Sequence, residues 1–105
     1  MDLSIVIINW NTRDMLRDCL NTVYDNLGSL RAEVFVVDNA SEDGSQDMVA
    51  AEFPQVDLIC NTRNVGFAAA NNQALDVVKG KYALLLNSDT LVHGDVLQKS
   101  FEYME

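Results

Sequence analysis

Apolar residues along this chain gather in short runs, and each run gives way to a polar cluster. The runs are Leu3–Ile8, Val34–Val37, Val56–Cys60 and Tyr82–Leu86. Rich in β-branched and aliphatic residues and only four to six long, they read as strands. Between them the apolar spacing changes to that of helices. Behind Thr12, a plausible N-cap, Met15, Leu16, Cys19, Leu20, Val23, Tyr24 and Leu27 recur every third or fourth position, and Gly28 follows as a closing residue. A second helix is expected from about Ser45, with Met48, Val49, Ala51 and Phe53 inward and Pro54 as its stop. A third, rich in Ala and Asn, is expected over Phe67–Val78 and closed by Gly80, and a fourth over Asp95–Tyr103 with Leu97 and Phe101 inward.

Strand and helix thus alternate four times with short connections, which predicts an α/β domain: an open, mostly parallel sheet with helices on both faces. Residues 1–105 read as one domain, without repeats, low-complexity tracts or charged linkers. The run Y-A-L-L-L at Tyr82–Leu86 has no polar alternation, so it is expected to be an interior strand buried on both faces.

In a parallel sheet every strand ends at the same edge, the one where open α/β sheets bind ligands. The polar clusters here are Asn9/Asn11, Asp38/Asn39, Asn61/Arg63/Asn64 and Asn87/Asp89. Any one of them is an ordinary turn, but four at one edge point to a ligand site.

Composition narrows the ligand. The chain is 49% apolar and 22% charged, with 16 acidic against 7 basic residues and a formal charge of -9. That balance and the lack of a Lys/Arg cluster exclude nucleic acid as a partner. Cys19 and Cys60 form neither a CxxC pair nor a Cys/His group, so they read as buried free thiols rather than zinc ligands. The N-terminus has no basic segment ahead of its apolar run, and no run is long enough to cross a bilayer; a cytoplasmic protein is expected.

No GxxxxGK[ST] and no GxGxxG follows the first strand, which argues against P-loop and Rossmann dinucleotide chemistry. The single His93 has no nucleophile turn to serve and reads as a surface residue. The strand-end groups suit a base, a sugar and a cation. Asp38 can accept from a pyrimidine imide or ribose hydroxyls, or it can close an Asx turn. Trp10 offers a flat face to a base, or packs the rim. Arg63 can reach a base carbonyl or a phosphate, or stand in solvent. Asp89 can hold Mg²⁺ or Mn²⁺, which needs only one or two protein carboxylates when a diphosphate supplies further oxygens.

Four segments in order, I-V-I-I-N-W-N-T, V-V-D-N-A-S-E-D-G-S, R-N-V-G-F-A-A-A-N-N and L-L-L-N-S-D-T, resemble family 2 of the inverting glycosyltransferases over about Leu3 to Thr90. The resemblance is greatest to the rhamnosyltransferase-like branch that builds bacterial surface polysaccharides. It implies the nucleotide-binding half of a GT-A fold and a nucleoside-diphosphate-sugar donor. It further implies that Asn9, Trp10, Asn11, Asp38, Asn39, Arg63, Asn64 and Asn87 line the nucleotide pocket. The family's D-x-D motif falls on Asn87-Ser88-Asp89, with Asn87 in place of the first aspartate and Asp89 as the carboxylate for a divalent cation, Mn²⁺ or Mg²⁺. The general base of the family comes from a second, acceptor-binding half beyond this chain, so no catalytic base is assigned here.

By this resemblance the chain is a truncated donor-binding half that binds nucleotide but does not turn over. Its exposed faces are expected to favour homo-oligomers, and a saccharide acceptor would meet the other half. Membrane association of the intact enzyme stays open, as does the choice among uridine, thymidine and guanosine diphosphates. The competing reading is a non-catalytic, doubly wound α/β module that binds a ligand or partner at the same edge.

Overall fold

The computed structural model describes residues 1–105. In chain order the elements are β1 (Leu3–Asn9), α1 (Arg13–Asp25), β2 (Ala32–Asp38), α2 (Ser45–Glu52), β3 (Asp57–Cys60), α3 (Phe67–Leu75), β4 (Tyr82–Asn87) and α4 (Val96–Met104). All pairings are parallel and the strand order is β3-β2-β1-β4. The expected α/β class holds, with a sheet that is wholly rather than mostly parallel.

The pleat sends alternate side chains to opposite faces. Leu3, Ile5 and Ile7 of β1 join Val34 and Val36 of β2 on one face, under Leu16, Leu20 and Val23 of α1, Met48 and Val49 of α2, and Leu97 of α4. Val6 of β1 with Phe35 and Val37 of β2 form the other face, covered by Ala70 and Ala74 of α3. Two helix layers therefore sandwich the sheet. β1 and β2 carry its centre, each fully buried Val or Ile contributing about 1.5–3 kcal/mol.

β4 departs from expectation. It pairs only with β1, and its side chains alternate between half-buried and exposed. Tyr82, Leu84 and Leu86 pack against the larger core, whereas Leu85, on the α3 face, is 46% exposed. It is the edge strand of this sheet, with β1 as its one neighbour, and α3 packs on β1 and β2. An apolar run reports that its residues are apolar, not how many neighbours the strand has.

Smaller differences have local causes. Helix α1 stops at Asp25, where the Asn26 backbone N–H bonds the Val23 carbonyl (3.2 Å) and its side-chain Nδ2 donates to the Thr22 carbonyl (2.7 Å) and the Val92 carbonyl (3.1 Å). Gly28 then takes φ +60°, a left-handed conformation that favours glycine, beside the end of the Gln98 side chain of α4. Helix α3 ends at Leu75 rather than Val78, its last turn tightened by the Val77 amide bonding the Ala74 carbonyl. Met15 and Ala51 face solvent rather than the core, and Cys60, expected to be buried, is exposed on the outermost strand β3. No helix is long and apolar enough to cross a membrane.

Candidate functional site

The strand order places a switch point between β1 and β4. The chain moves from β1 to β2 and β3 on one side, and α3 carries it back over the sheet to β4 on the other. Such a point opens a crevice outside the carboxyl ends of the two strands. Asn9-Trp10-Asn11 leave β1 there and Asn87-Ser88-Asp89 leave β4.

A chain of hydrogen bonds crosses this crevice. Asn9, wholly buried at the end of β1, gives its Nδ2 to Asp38 Oδ1 at 2.8 Å. Its Oδ1 accepts from the Thr12 hydroxyl at 2.7 Å, and Thr12 Oγ1 lies 2.8 Å from Ser88 Oγ. The direction of each proton follows from the ends. An ionised carboxylate only accepts, so Asn9 must turn its NH₂ toward Asp38 and its oxygen toward Thr12. Thr12 spends its one proton on that oxygen, which leaves Ser88 as donor to Thr12. The turn that carries Asp89 is thereby tied to the buried carboxylate of Asp38.

Asp38 is itself wholly buried, with both oxygens engaged. Oδ1 accepts from Asn9 and from Ser41 Oγ (2.7 Å), and Oδ2 from the Ser41 amide (2.9 Å) and Gln46 Nε2 (2.8 Å). The Ser41 amide lies three residues on, one position beyond an Asx-turn partner, so this bond closes the loop over Asn39 and Ala40. All the acceptor capacity of the carboxylate goes to protein donors, so a base or ribose hydroxyl would have to displace one of them. Asn39 is also buried; its oxygen accepts from Asn61 Nδ2 (3.0 Å) and its NH₂ reaches the Gly66 carbonyl (3.3 Å), joining β2 to the loop ahead of α3.

The other expected residues stand on the surface of the rim. Trp10 is 56% exposed, and Asn11, Arg63, Asn64, Asn87 and Asp89 are exposed. Asn11 adopts φ 52°, with its amide on Ser41 Oγ (2.8 Å) and its side-chain oxygen on the Glu42 amide (2.8 Å). Ala40 adopts φ 61°. Two left-handed residues without glycine flank one serine, a strain of a kind that gathers at functional loops. Asp43 braces the same loop pair by accepting from the Arg13 amide (2.9 Å), the first donor of α1. Asn64 Oδ1 accepts from the Gly66 amide (2.8 Å), shaping the loop that carries Arg63.

The residues fit a cation only together with a ligand. Asp89 belongs to none of the ion pairs, and no group of three His, Cys, Asp or Glu side chains could enclose a metal by itself. One free carboxylate beside an open crevice suits Mg²⁺ or Mn²⁺ that takes its remaining ligands from a diphosphate and water. Beneath it, Cys19 lies with Sγ 3.9 Å from the Asn87 carbonyl. Burial, and then the charge of Asp89, pushes its thiol up to about 11, so it stays protonated.

Several residues of the site carry little sequence signal. Thr12 reads as an N-cap, yet its hydroxyl makes no cap bond. Ser41 could have been found as a hydroxyl three residues after the strand-end aspartate, and Ser88 as the middle of N-S-D. Gln46 and Asn71 are ordinary polar helix positions. Asn71, on α3, is 6% exposed and its Oδ1 has no hydrogen-bond partner, a cost of about 1–3 kcal/mol.

Comparison with known proteins agrees with this architecture. The family model described as Glycosyl transferase family 2 matches residues 4–105. A poly(ribitol-phosphate) beta-glucosyltransferase of Bacillus spizizenii is 30% identical over 108 residues, covering 98% of this chain and 17% of that protein. The mannosyltransferase PcManGT of Pyrobaculum calidifontis, solved in complex with GDP-Man and Mn²⁺, superposes with a TM-score of 0.79 at 27% identity, over 89% of this chain and 29% of that one. S. aureus TarS 1-349 in complex with UDP superposes at 0.86 and 21% identity, over 99% of this chain and 32% of that one, a likeness of fold. The chain spans less than half the length of each. It belongs to glycosyl transferase family 2, and its sheet is the nucleotide-binding half of the GT-A fold.

Proposed function

We propose that this family 2 chain is the donor-binding part of a glycosyltransferase that takes its sugar from a nucleoside diphosphate. The observation that carries the reading is the bond from Thr12 to Ser88 across the β1/β4 crevice, which holds the turn bearing the unpaired Asp89. The polar ends of β2 and β3 meet at the same edge. Asn9 and Asp38 would set the turn from beneath and Asn39 would hold the loop ahead of α3, while the exposed Trp10, Asn11, Arg63, Asn64 and Asn87 would receive the nucleotide.

Asp89 and the donor's diphosphate would hold Mn²⁺ or Mg²⁺ between them. When bound, the ion supplies Lewis-acid stabilisation of the charge on the departing diphosphate. Attack by the acceptor hydroxyl from the opposite side would invert the anomeric centre. No residue in this chain is assigned to deprotonate that hydroxyl. The base and the acceptor surface are proposed to lie in a further part of a longer protein, so this chain alone binds donor without transferring sugar. The sequence resemblance supports the rhamnosyltransferase-like branch. The Bacillus spizizenii relative, named for a poly(ribitol-phosphate) acceptor, supports a role in cell-surface polysaccharide synthesis, supplied from cytoplasmic nucleotide sugars.

The test is thermal unfolding with uridine, thymidine and guanosine diphosphates, each with and without Mn²⁺, on the wild-type chain and Asp89→Ala. Ligand at a hundred times its dissociation constant adds about 2.7 kcal/mol. At roughly 4–8 °C per kcal/mol for a domain of this size, the shift is plain. A cation-dependent shift with one diphosphate, lost in Asp89→Ala, is expected. A folded wild type with no shift for any of the three refutes donor binding by this chain, and measurable sugar transfer refutes its inactivity.

A further inference from the structure

Helices α1 and α2 both begin without a cap from the residue ahead of them. Neither Thr12 nor Gly44 makes a side-chain cap bond, although the first amides of a helix have no partner within it. One carboxylate serves both. Asp43 Oδ2 accepts from the Arg13 amide, the first of α1, at 2.9 Å. Its Oδ1 accepts from the Ser45 amide, the first of α2, at 3.0 Å, and from the Ser45 hydroxyl. Partial burial works to raise the Asp43 pKa, but the bonds from the Ser45 hydroxyl and from the Arg13 and Ser45 amides outweigh it and hold the carboxyl below its usual range. It is therefore ionised at neutral pH and complements the positive ends of two helix dipoles.

Only the bonds to Ser45 are local. An aspartate bonding the amide two residues on closes a turn whatever the rest of the chain does. The Arg13 amide lies 30 positions away, and the Asp43 carbonyl takes Arg13 Nη1 as well (3.1 Å). What this second attachment fixes is the segment between β1 and α1. Asn11, at φ 52°, gives its amide to Ser41 Oγ and takes the Glu42 amide on its Oδ1. Asn11 and Arg13 are thus stitched to Ser41, Glu42 and Asp43, and between them stands Thr12, whose hydroxyl meets Asn9 and Ser88. Trp10, the single tryptophan, leads into the stitched segment with its ring at the rim.

Resting on the donor-site reading above, we infer that Asp43 is a positioning residue of the donor site. By holding the first amide of α1 on the β2–α2 loop, it sets Trp10 and Thr12, and through Thr12 the turn that bears Asp89, before the nucleotide arrives. It acts through those residues rather than by contact. The gain is preorganisation, since a segment ordered in advance takes no ordering cost out of the binding energy. Charge alone would act the other way. A carboxylate on the rim repels an anionic diphosphate, so removing it should tighten binding if charge were its only effect; a positioning role requires that binding weaken.

The experiment compares wild type with Asp43→Asn, Asp43→Ser and Glu33→Gln, each shown to be folded by its urea transition. Asparagine keeps the shape with one accepting oxygen, enough for one helix. Serine reaches the Ser45 amide two residues on and is too short for Arg13, and it serves should the asparagine variant fail to fold. Glu33→Gln is the matched control, since it too removes a partly buried carboxylate that accepts a backbone amide, but at the opposite, amino-terminal end of the sheet. Titration calorimetry with uridine, guanosine and thymidine diphosphates in Mn²⁺ reads affinity. The fluorescence anisotropy of Trp10 without ligand reads the segment itself. Both Asp43 variants should bind the preferred diphosphate roughly threefold or more weakly and show lower Trp10 anisotropy, with Glu33→Gln at wild type in both. Wild-type or tighter binding in a folded Asp43 variant, or an equal loss in Glu33→Gln, overturns the inference and leaves the donor site standing. So does weaker binding with unchanged anisotropy, which would make Asp43 a direct contact. No binding of any diphosphate by wild type overturns both.

Discussion

Thr12 separates two accounts of how the N-terminus of α1 is held. As an N-cap, its hydroxyl would accept from a free amide of the first turn, and Asp would serve as well as Thr or better, helped by the helix dipole. In the structure the hydroxyl instead donates to Asn9 Oδ1 and accepts from Ser88, and makes no cap bond. Thr12→Val keeps the shape and removes the donor. Asn9 Oδ1, wholly buried, then loses the hydrogen bond that satisfies it, at a cost of about 1–3 kcal/mol. For a domain of this size that is a fall of roughly 4–8 °C per kcal/mol. Thr12→Ser keeps the hydroxyl and should stay within about 0.5 kcal/mol of wild type. Thr12→Asp is the decisive variant. Its carboxylate cannot donate to Asn9 Oδ1, and turning the Asn9 amide over would set that oxygen against Asp38. It should therefore be less stable than Thr12→Val, the reverse of the capping order. Urea unfolding of the four proteins at neutral pH measures this, with equal slopes required before midpoints are compared. Thr12→Asp at or above wild type, or Thr12→Val level with Thr12→Ser, would refute the hydrogen-bond chain.

Other outcomes follow from single observations. Gly80→Ala should destabilise by about 1–3 kcal/mol, because its Cβ would stand 2.5 Å from the Ser4 amide nitrogen in β1; Ala40→Gly, relieving φ 61°, should be neutral or stabilising by up to about 1 kcal/mol in the same urea assay. Partial burial works to raise the Glu33 pKa, but bonds from the Ser4 hydroxyl and the Lys79 and Gly80 amides outweigh it and hold the carboxyl below its usual range. A depressed pKa contributes stability above the unfolded value that is lost as pH falls through the folded one, so Glu33→Gln should be less stable at neutral pH and show a flatter decline below about pH 4.5. With maleimide, folded protein should react only at Cys60, slowly because burial and then Asp38 raise its thiol, and Cys19 should react only on unfolding; mass spectrometry showing both labelled in native protein contradicts the buried position of Cys19. The uncovered edge of β4 should promote self-association, and a monomeric mass at all concentrations in sedimentation would count against that.

The order of elements, the parallel sheet and the convergence of four polar clusters on one edge were legible in the sequence. Apolar period and turn residues are local properties, and strand–helix alternation leaves a parallel sheet as the economical packing. That sheet brings Asn9, Asp38, Asn61 and Asn87 to one edge whatever the strand order. The tertiary structure decided what a period cannot carry. Whether Tyr82–Asn87 is an interior or an edge strand depends on which strands pair with it, and in this sheet β1 alone does. Which partner a hydroxyl or carboxylate takes depends on atoms far apart in the chain. Thr12 finds Ser88 76 positions away rather than the amides beside it. Asp38 spends one oxygen on Asn9, 29 positions back, instead of facing solvent. The unpaired oxygen of Asn71 is visible only once α3 lies against the sheet, because an asparagine among alanines looks the same whether its amide is solvated or shut in.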